Sequence, residues 1–266
     1  MFGWKDLSEV DFQVVTLFEA EQLAWLYRWK DKKSIGILMN HYPTVSYFLK
    51  EKNKTLKEQF TALEDEYKNY PLSKPIEEIE RVFIESLEDW IIYAIDPDSY
   101  DRLSFNKWED DELLSMVDFQ DKVVIDVGSG TGSQLFRIAP IAKTIFSVEP
   151  VGNLRRYLKD KAKKLGYENC HFVDGTITDI PFPDDFVDVI VSGHVVGDDL
   201  EEELREYLRV VKPGGTAIFM PGNNDVDNDL HKRLVRDGWT WGRFLEPGPD
   251  AGYGWKRKYW KQKSSK

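Results

Sequence analysis

The chain has 266 residues, of which 41% are hydrophobic and 14% aromatic. This composition is typical of a globular protein of one or two domains and excludes a disordered or low-complexity chain. We find no run of about 18 uninterrupted apolar residues, so no membrane span is expected. The opening residues lack the basic start and apolar stretch of a signal peptide, which indicates a cytoplasmic protein.

The charge of the chain is acidic and unevenly distributed. The formal net charge is −11, and residues 1–110 hold 22 of the 47 acidic residues but 14 of the 36 basic ones. Such a surface repels phosphate backbones, which argues against nucleic acid as a partner. The basic end "GWKRKYWKQKSSK" could contact an anionic partner, but we favour an exposed edge strand guarded by lysines, followed by a frayed end. Nothing in the pattern indicates an oligomeric state.

Cysteine and histidine are sparse. Cys170 is the only cysteine, and the four histidines show no close pairing. Because no Cys/His spacing of the zinc type occurs, we expect no metal site. We interpret Cys170, within "NCHFVD", as a small apolar residue of a buried strand rather than as a reactive thiol.

The first part of the chain, residues 1–118, is predicted to be a helical region. From residue 5 to about 117 the apolar spacing is helical, and strand signals are few. The stretches "FQVVTLFEAEQLAWLYRW" and "PIEEIERVFIESLEDWIIYAI" each predict one amphipathic helix, with two shorter helices between them. The first 110 residues hold 19 aromatics. We favour core packing for them, and an apolar substrate pocket is the alternative.

Residues 122–139, "KVVIDVGSGTGSQLFRIA", predict a strand, a glycine turn and a helix. The β-branched run VVIDV is typical of a strand buried on both faces. Glycine then allows a tight turn and lets a ligand approach the bare backbone. We predict a helix near 131–140 that Thr131 caps, with Gln134 reaching back to complete a capping box.

From residue 122 strands and helices alternate, which predicts an α/β fold with a mostly parallel sheet in a domain spanning 119–266. We expect a boundary within "DFQD", residues 118–121. The predicted elements, in chain order, are strands near 122–127, 144–148, 170–173, 186–192 and 216–220, helices near 151–165, 199–210 and 226–237, and a final hairpin with a glycine and proline turn. Asp198 or Asp199 is expected to cap the helix near 199–210.

A strand, glycine turn and helix can hold more than one kind of nucleotide cofactor, because this turn lies at the crevice where open parallel sheets bind ligands. A dinucleotide fingerprint needs glycine or alanine at position 133, for close packing of helix on strand. Ser133 stands there instead. Glu149, at the end of the predicted second strand, does not decide between a dinucleotide and another nucleotide cofactor, because an acidic residue at this position is compatible with both.

Four motifs in register carry a family resemblance over residues 108–261. With "VVIDVGSGTG", "FSVEP", "FVDGTITDIPFPDDFVDVIVSGHVV" and "LRVVKPGG", the chain resembles the class I S-adenosylmethionine-dependent methyltransferases of the type 11 group, which is related to quinone-biosynthesis methyltransferases. The resemblance implies a Rossmann-like sheet with an antiparallel last strand and helices on both faces. It also implies S-adenosylmethionine as the cofactor and S-adenosylhomocysteine as the product.

The resemblance assigns cofactor contacts to three parts of the chain. It implies that Gly128, Ser129 and Gly130 face the methionine part, with Asp126 at the base of the loop. Glu149, followed by Pro150, would accept hydrogen bonds from both ribose hydroxyls. It further implies that Asp174, followed by Gly175 and Thr176, lies at the position that binds the adenine ring. A carboxylate near a cationic sulfonium and ammonium is favourable, whereas phosphates would disfavour it.

The transfer site is implied at the end of the fourth strand, at Ser192, Gly193 and His194. His194 could deprotonate an acceptor hydroxyl or amine, and it could equally be structural or contact the cofactor. The segment "DPDSYDRLSFNKW" is our candidate lid. Within it, Tyr100 and Arg102 are the residues most able to reach the methionine carboxylate, and Tyr100 is a second candidate catalytic residue.

These expectations describe a methyltransferase with an unidentified acceptor, because the helical region matches no acceptor domain. A small molecule is favoured, and a protein or peptide is the alternative acceptor. Two other function classes stay open: an S-adenosylmethionine-binding protein without transferase activity, and an NAD(P)-dependent oxidoreductase.

Overall fold

The computed structural model describes Leu7 and residues 9–222, 224–248 and 253–265. In it the chain forms two compact units, Met1–Ser99 and Tyr100–Lys266. The sequence places the boundary later, between residues 118 and 119. The difference has a packing cause: Trp108, Leu113 and Phe119 are buried in the same apolar cluster as strand residues of the second unit.

Helices make up most of the first unit and flank the sheet of the second. Within the described residues, no helix has the length and apolar character needed to cross a bilayer. The α-helices are α1 Ala20–Trp29, α2 Lys32–His41, α3 Pro43–Lys52, α4 Lys57–Glu66, α5 Ile76–Ser86, α6 Glu88–Ile95, α7 Pro97–Asp101, α8 Asp111–Leu114, α9 Leu135–Ile138, α10 Gly152–Leu165, α11 Leu200–Val210 and α12 Asp229–Arg236. Short 3₁₀ helices cover Phe12–Leu17, Lys54–Leu56 and Ser104–Asn106.

The two long helices predicted in the first unit are each broken. The first divides into the 3₁₀ helix Phe12–Leu17 and α1, where the side chain of Gln22 accepts a hydrogen bond from the backbone N–H of Glu19 at 3.1 Å. The second breaks at Leu87, which is fully buried between α5 and α6. The two shorter helices expected within residues 40–71 are present as α3 and α4, and α2 is a further helix before them. Residues 1–6 and 8 of the predicted helical region lie outside the described residues.

The first unit has its own core. Aromatic side chains contribute to it, with Phe12, Phe18, Phe60 and Phe83 buried among leucines and isoleucines of the helices. Burying a side chain of this size stabilises a fold by roughly 1.5–3 kcal/mol relative to leaving it exposed. The apolar faces of the amphipathic helices therefore form this core.

The second unit is built on a seven-stranded sheet with the order β3-β2-β1-β4-β5-β7-β6. The strands are β1 Val123–Val127, β2 Thr144–Val148, β3 Cys170–Val173, β4 Val187–Gly193, β5 Val211–Met220, β6 Thr240–Pro247 and β7 Tyr253–Gln262. The first five pair in parallel, whereas β7 is antiparallel to β5 and to β6. The predicted fold class, a Rossmann-like sheet with an antiparallel last strand, is confirmed.

Both faces of the sheet are buried, as the continuous apolar runs predict. Along β1, Ile125 and Val127 pack into one apolar cluster, while Val124, the residue before Ile125, packs into another. The first cluster also holds Tyr207 of α11, and the second holds Leu135 of α9. Because successive side chains of a strand point to opposite faces, this division places helices on both sides of the sheet.

The basic last strand is not at the edge of the sheet, so that prediction was wrong. β7 lies between β5 and β6, with Trp260 opposite Ile218 on one side and Thr240 on the other. Lys258 is largely buried there, and its ammonium lies 2.8 Å from a carboxylate oxygen of Glu112. The turn of the hairpin includes residues 249–252, which lie outside the described residues.

The cap of α11 also differs from the prediction, since Asp199 stands at the N-cap position but its side chain makes no capping hydrogen bond. Glu203 fills this role from within the helix. Its carboxylate accepts hydrogen bonds from the backbone N–H groups of Gly197, Asp198 and Asp199 at 2.8–3.0 Å. A carboxylate that folds back in this way satisfies N–H groups that a helix start leaves without partners.

Candidate active site

The turn after β1 leaves bare backbone at the carboxyl end of the central strands. Gly128 and Gly130 have φ angles of 67° and 55°, a region that residues with a side chain rarely adopt. A Cβ atom at Gly128 would lie 2.3 Å from a methyl carbon of Val195, so no side chain fits there. The motif therefore performs the task predicted for it, a tight turn with an approachable backbone.

The capping box predicted in this turn is wrong. α9 begins only at Leu135 and has no side-chain cap. The hydroxyl of Thr131 and the Oε1 atom of Gln134 are buried without a hydrogen-bond partner among the described residues. Gln134 points instead towards the end of β4, because a Cβ atom at Gly193 would lie 2.6 Å from its Nε2 atom.

Asp126 is a buried carboxylate at the base of the turn. Its Oδ2 atom has no hydrogen-bond partner among the described residues, although the hydroxyl of Ser129 donates to its backbone oxygen at 2.9 Å. Burial raises the pKa of Asp126 to about 7, and the nearby carboxylate of Glu149 acts in the same direction. A buried acid without a compensating charge is costly to ionise, so this position favours a cationic ligand.

Glu149 follows β2 and faces the same turn. Its Oε2 atom accepts a hydrogen bond from the N–H of Gly130, and its Oε1 atom accepts one from Val151, both at 2.9 Å. Burial raises the pKa of Glu149 to about 7 despite these two bonds, which act the other way. Each oxygen keeps a second lone pair, so both can still accept a hydrogen bond from a ligand hydroxyl.

Gly193 and His194 lie at the end of β4, beside the turn. His194 has a φ of 59°, and its backbone N–H donates to the carbonyl of Met220 at 2.9 Å. Its Nε2 atom lies 2.8 Å from Oε2 of Glu246 in β6. Glu246 was missed by the sequence analysis. Ser192 is fully buried one residue earlier in the strand.

The candidate lid divides into residues that face the turn and one that does not. Tyr100, Phe105, Asn106 and Trp108 line a cleft together with the glycine turn, whereas Arg102 is exposed and is not among the lining residues. The ring of Phe105 packs on Tyr100 at 5.6 Å and on His194 at 5.2 Å between centroids. Phe105 therefore contacts the rings of both Tyr100 and His194.

Arg137 of α9 anchors this segment, and no sequence signal pointed to it. Its guanidinium donates to the backbone oxygens of Asn106 at 3.1 Å and Trp108 at 2.8 Å. It also lies 4.0 Å from the centroid of the Trp108 ring and pairs with Asp110 at 2.6 Å. One side chain therefore holds several residues of the segment beside the cleft.

The residues matched to the adenine position lie apart from the cleft. Asp174 is 73% exposed, and its carboxylate forms an ion pair with Arg155 at 2.8 Å. Thr176 forms a bridge with Asp179, and Gly175 packs so closely that a Cβ atom would lie 2.7 Å from Pro181. Neither these residues nor Glu149 and Pro150 are among those that line the cleft.

The cleft measures about 410 Å³, part of it open to solvent. It lies at the carboxyl ends of β1 and β4, where open α/β sheets bind ligands. Its polar lining is acidic at Asp126, while the bare turn provides backbone N–H groups. S-adenosylmethionine, with its sulfonium and ammonium charges, fits this lining, whereas the pyrophosphate of a dinucleotide would face the carboxyl group of Asp126.

Among the described residues, no group of three or more His, Cys, Asp or Glu side chains could hold a metal ion. Cys170 belongs to β3, and burial raises the pKa of its thiol to about 11. A thiol with a raised pKa is a poor nucleophile near neutral pH.

Comparisons with known proteins agree with the motifs. Residues 125–219 match the family described as "Methyltransferase domain". An uncharacterized methyltransferase of Geobacillus thermodenitrificans is 29% identical over 146 residues, which are 52% of this chain and 66% of that protein. A ubiquinone/menaquinone biosynthesis C-methyltransferase of Vibrio vulnificus is 29% identical over 115 residues, 41% of this chain and 44% of that protein. The chain thus spans less than two thirds of the length of these curated relatives.

Solved structures include a similar protein, a SAM-dependent methyltransferase from Aquifex aeolicus. It is 19% identical, has a TM-score of 0.48 and covers 62% of this chain and 98% of its own. The fold assignment rests on the strand order described above. The sequence match and the motifs thus agree that residues 125–219 are similar to a methyltransferase domain.

Proposed function

We propose that this protein transfers a methyl group from S-adenosylmethionine to a small-molecule acceptor. The observation that carries the proposal is Asp126, a buried carboxylate that lines the cleft beside the glycine turn and whose Oδ2 atom has no hydrogen-bond partner among the described residues. A cationic ligand would compensate this carboxylate at short range, in a site that excludes much of the water that would screen the interaction.

The same residues argue against a nicotinamide cofactor. Ser133 occupies the position where a dinucleotide fingerprint needs glycine or alanine. Its hydroxyl accepts a hydrogen bond from Arg137 at 2.8 Å, which is part of the anchor of the lid segment. The pyrophosphate of a dinucleotide would also face the buried carboxyl group of Asp126, which lines the cleft.

We assign separate tasks to the residues of the cleft and to Glu149, which contacts the glycine turn. Bound S-adenosylmethionine supplies an activated methyl group on a positively charged sulfur. The open backbone of Gly128 and Gly130 lets the methionine part approach, and Glu149 accepts hydrogen bonds from ribose hydroxyls. Tyr100 and Phe105 exclude water above the turn, so that the acceptor is held in line at roughly 3–3.5 Å from the methyl carbon.

A small acceptor is favoured by the shape of the cleft. Its lining combines the bare glycine turn with the side chains of Tyr100, Phe105 and Trp108. Aromatic residues of the segment 100–108 narrow the cleft. A protein substrate would have to present a side chain long enough to reach His194 past these rings.

Isothermal titration calorimetry on protein stripped of carried-over ligand tests the proposal. We expect micromolar binding of S-adenosylmethionine and S-adenosylhomocysteine and no binding of NADH or NADPH. Asp126→Asn should weaken binding of the cationic S-adenosylmethionine more than that of the neutral thioether product. The control Glu168→Gln, at an exposed position in the same unit, should bind as the unchanged protein does. Binding of a nicotinamide cofactor alone would overturn the proposal.

A further inference from the structure

His194 and Glu246 form a pair that joins the cleft to the terminal hairpin. Glu246 is 6% exposed, whereas the side chain of His194 is 38% exposed. Their 2.8 Å contact brings together residues that lie 52 positions apart in the chain. The carboxylate is thus enclosed, while part of the imidazole stays accessible from the cleft that it lines.

The hydrogen bond determines which nitrogen of His194 is free. An ionised carboxylate can only accept, so the Nε2–H of His194 donates to Glu246 and the neutral ring keeps a lone pair on Nδ1. Gly222 packs against this edge of the ring, since a Cβ atom there would lie 2.2 Å from Nδ1. In this tautomer Nδ1 is the nitrogen of His194 that can accept a proton.

The backbone of His194 is strained, which indicates that its placement is specified by its surroundings. Its φ of 59° lies in the left-handed region, which is unfavourable for a residue with a side chain. Such strain persists only where neighbouring structure holds it, and it clusters at functional sites. Here the holding contacts are the carbonyl of Met220 and the ring of Phe105.

We propose that Glu246 positions His194 as the general base of the reaction and that the methyl acceptor is therefore a hydroxyl group. This inference rests on the proposed methyltransferase function. In the step, the hydroxyl oxygen bonds to the methyl carbon, the carbon–sulfur bond breaks and its electron pair stays on sulfur. The hydroxyl proton moves to Nδ1, and the Glu246 carboxylate stabilises the imidazolium that forms.

The chemistry of the acceptor atom explains why a hydroxyl needs this pair. An alcohol or phenol that kept its proton during attack would become a strongly acidic oxonium, so a base must act in the transition state. A neutral amine attacks with a free lone pair, and a thiol is already partly ionised near neutral pH. A well-placed general base contributes roughly 10²- to 10⁴-fold to the rate of such a step.

The first test needs neither an acceptor nor a variant. In protein with ¹⁵N-labelled histidine and bound S-adenosylhomocysteine, the nitrogen spectrum of neutral His194 should show a protonated Nε2 and a bare Nδ1. A proton on Nδ1 overturns the inference. Failure of S-adenosylhomocysteine to bind would instead overturn the proposed function, which separates the two claims.

The second test compares matched acceptors and variants. Phenol, aniline and thiophenol series with the same ring substituents are offered with labelled S-adenosylmethionine, and we expect methylation of phenols. Glu246→Gln should lower kcat for the phenol by about 10- to 100-fold and His194→Ala by at least about 100-fold. KM and the affinity for S-adenosylhomocysteine should change less than about threefold, and the control His171→Asn should behave as the unchanged protein.

Each result of the second test decides the claim. A loss confined to kcat, with cofactor affinity retained, supports a positioning role for Glu246, because a merely structural contact would affect binding and turnover together. Methylation of only the aniline or thiophenol members, or of none, contradicts the hydroxyl assignment. Unchanged kcat in both variants contradicts the role of the pair.

Discussion

Glu149, at the end of β2, accepts a hydrogen bond from the backbone N–H of Gly130, in the turn after β1, at 2.9 Å. The contact fastens two neighbouring strand ends to each other before any ligand is present. It also keeps an acid buried beside Asp126, so that both carboxyl groups have raised pKa values. Burying two acids together lowers the stability of the ligand-free protein, and the same two acids favour binding of a cationic ligand.

The first prediction concerns stability against pH. The pKa of Asp126 rises from 3.8 unfolded to about 7 folded, so its stabilising contribution is present below pH 4 and is lost as the pH rises through 7. Asp126→Asn removes this loss. We therefore compare the melting temperatures of the variant and the unchanged protein. The difference, variant minus unchanged protein, should increase by about 3 °C or more as the pH rises from 5 to 8. Thermal melts without ligand measure it, and a difference independent of pH contradicts the account.

The second prediction concerns Glu149 and cofactor affinity. Glu149→Gln keeps the size of the side chain but replaces one acceptor oxygen with a donor. Because a hydrogen bond to a charged group contributes roughly 1.5–3 kcal/mol, we expect S-adenosylhomocysteine to bind about 10- to 150-fold more weakly. Calorimetry measures the change. If Glu149→Gln binds S-adenosylhomocysteine as tightly as the exposed control Glu168→Gln does, Glu149 does not contact the ligand.

The third prediction concerns the segment that Arg137 anchors. Arg137→Lys cannot make the forked contacts to Asn106 and Trp108, since lysine lacks the planar guanidinium. Hydrogen exchange at residues 104–110 should become at least about tenfold faster. S-adenosylhomocysteine should bind more weakly, because the cleft loses part of its cover. Mass spectrometry of exchanged peptides follows the effect, and Arg156→Lys, at an exposed position of α10, is the matched control.

The fourth prediction compares how much Glu203 and Asp199, two acids near the start of α11, contribute to stability. Glu203→Ala leaves the N–H groups of Gly197, Asp198 and Asp199 without their acceptor, and we expect the free energy of unfolding to fall by about 1–3 kcal/mol. Asp199→Ala removes the side chain expected to cap the helix from sequence, and it should cost under about 0.5 kcal/mol. Urea denaturation measures both. Equal effects would restore the sequence-based assignment.

The local motifs were readable from sequence because their chemistry depends on neighbouring residues. The strand β1, its glycine turn and the acid after β2 are each defined within a few positions, and the alternation of elements predicts the parallel sheet. The predicted methyltransferase resemblance and fold class were confirmed. The roles assigned to individual site residues stay predictions.

The errors have a common physical cause, which is long-range packing. Thr131 and Gln134 match a capping box locally, but the turn continues to Leu135 and Gln134 faces Gly193 instead. β7 carries the lysines of an edge strand, yet β6 folds outside it. Glu246 reaches His194 from 52 positions away. No spacing rule within one element predicts such contacts.

A crystal structure with S-adenosylhomocysteine tests the central claim most directly. The account predicts the ligand in the cleft beside Asp126, with the homocysteine part against the backbone of Gly128 and Gly130 and the ribose hydroxyls on Glu149. Ligand bound elsewhere on the chain, or a cleft that stays empty at saturating ligand, would contradict it.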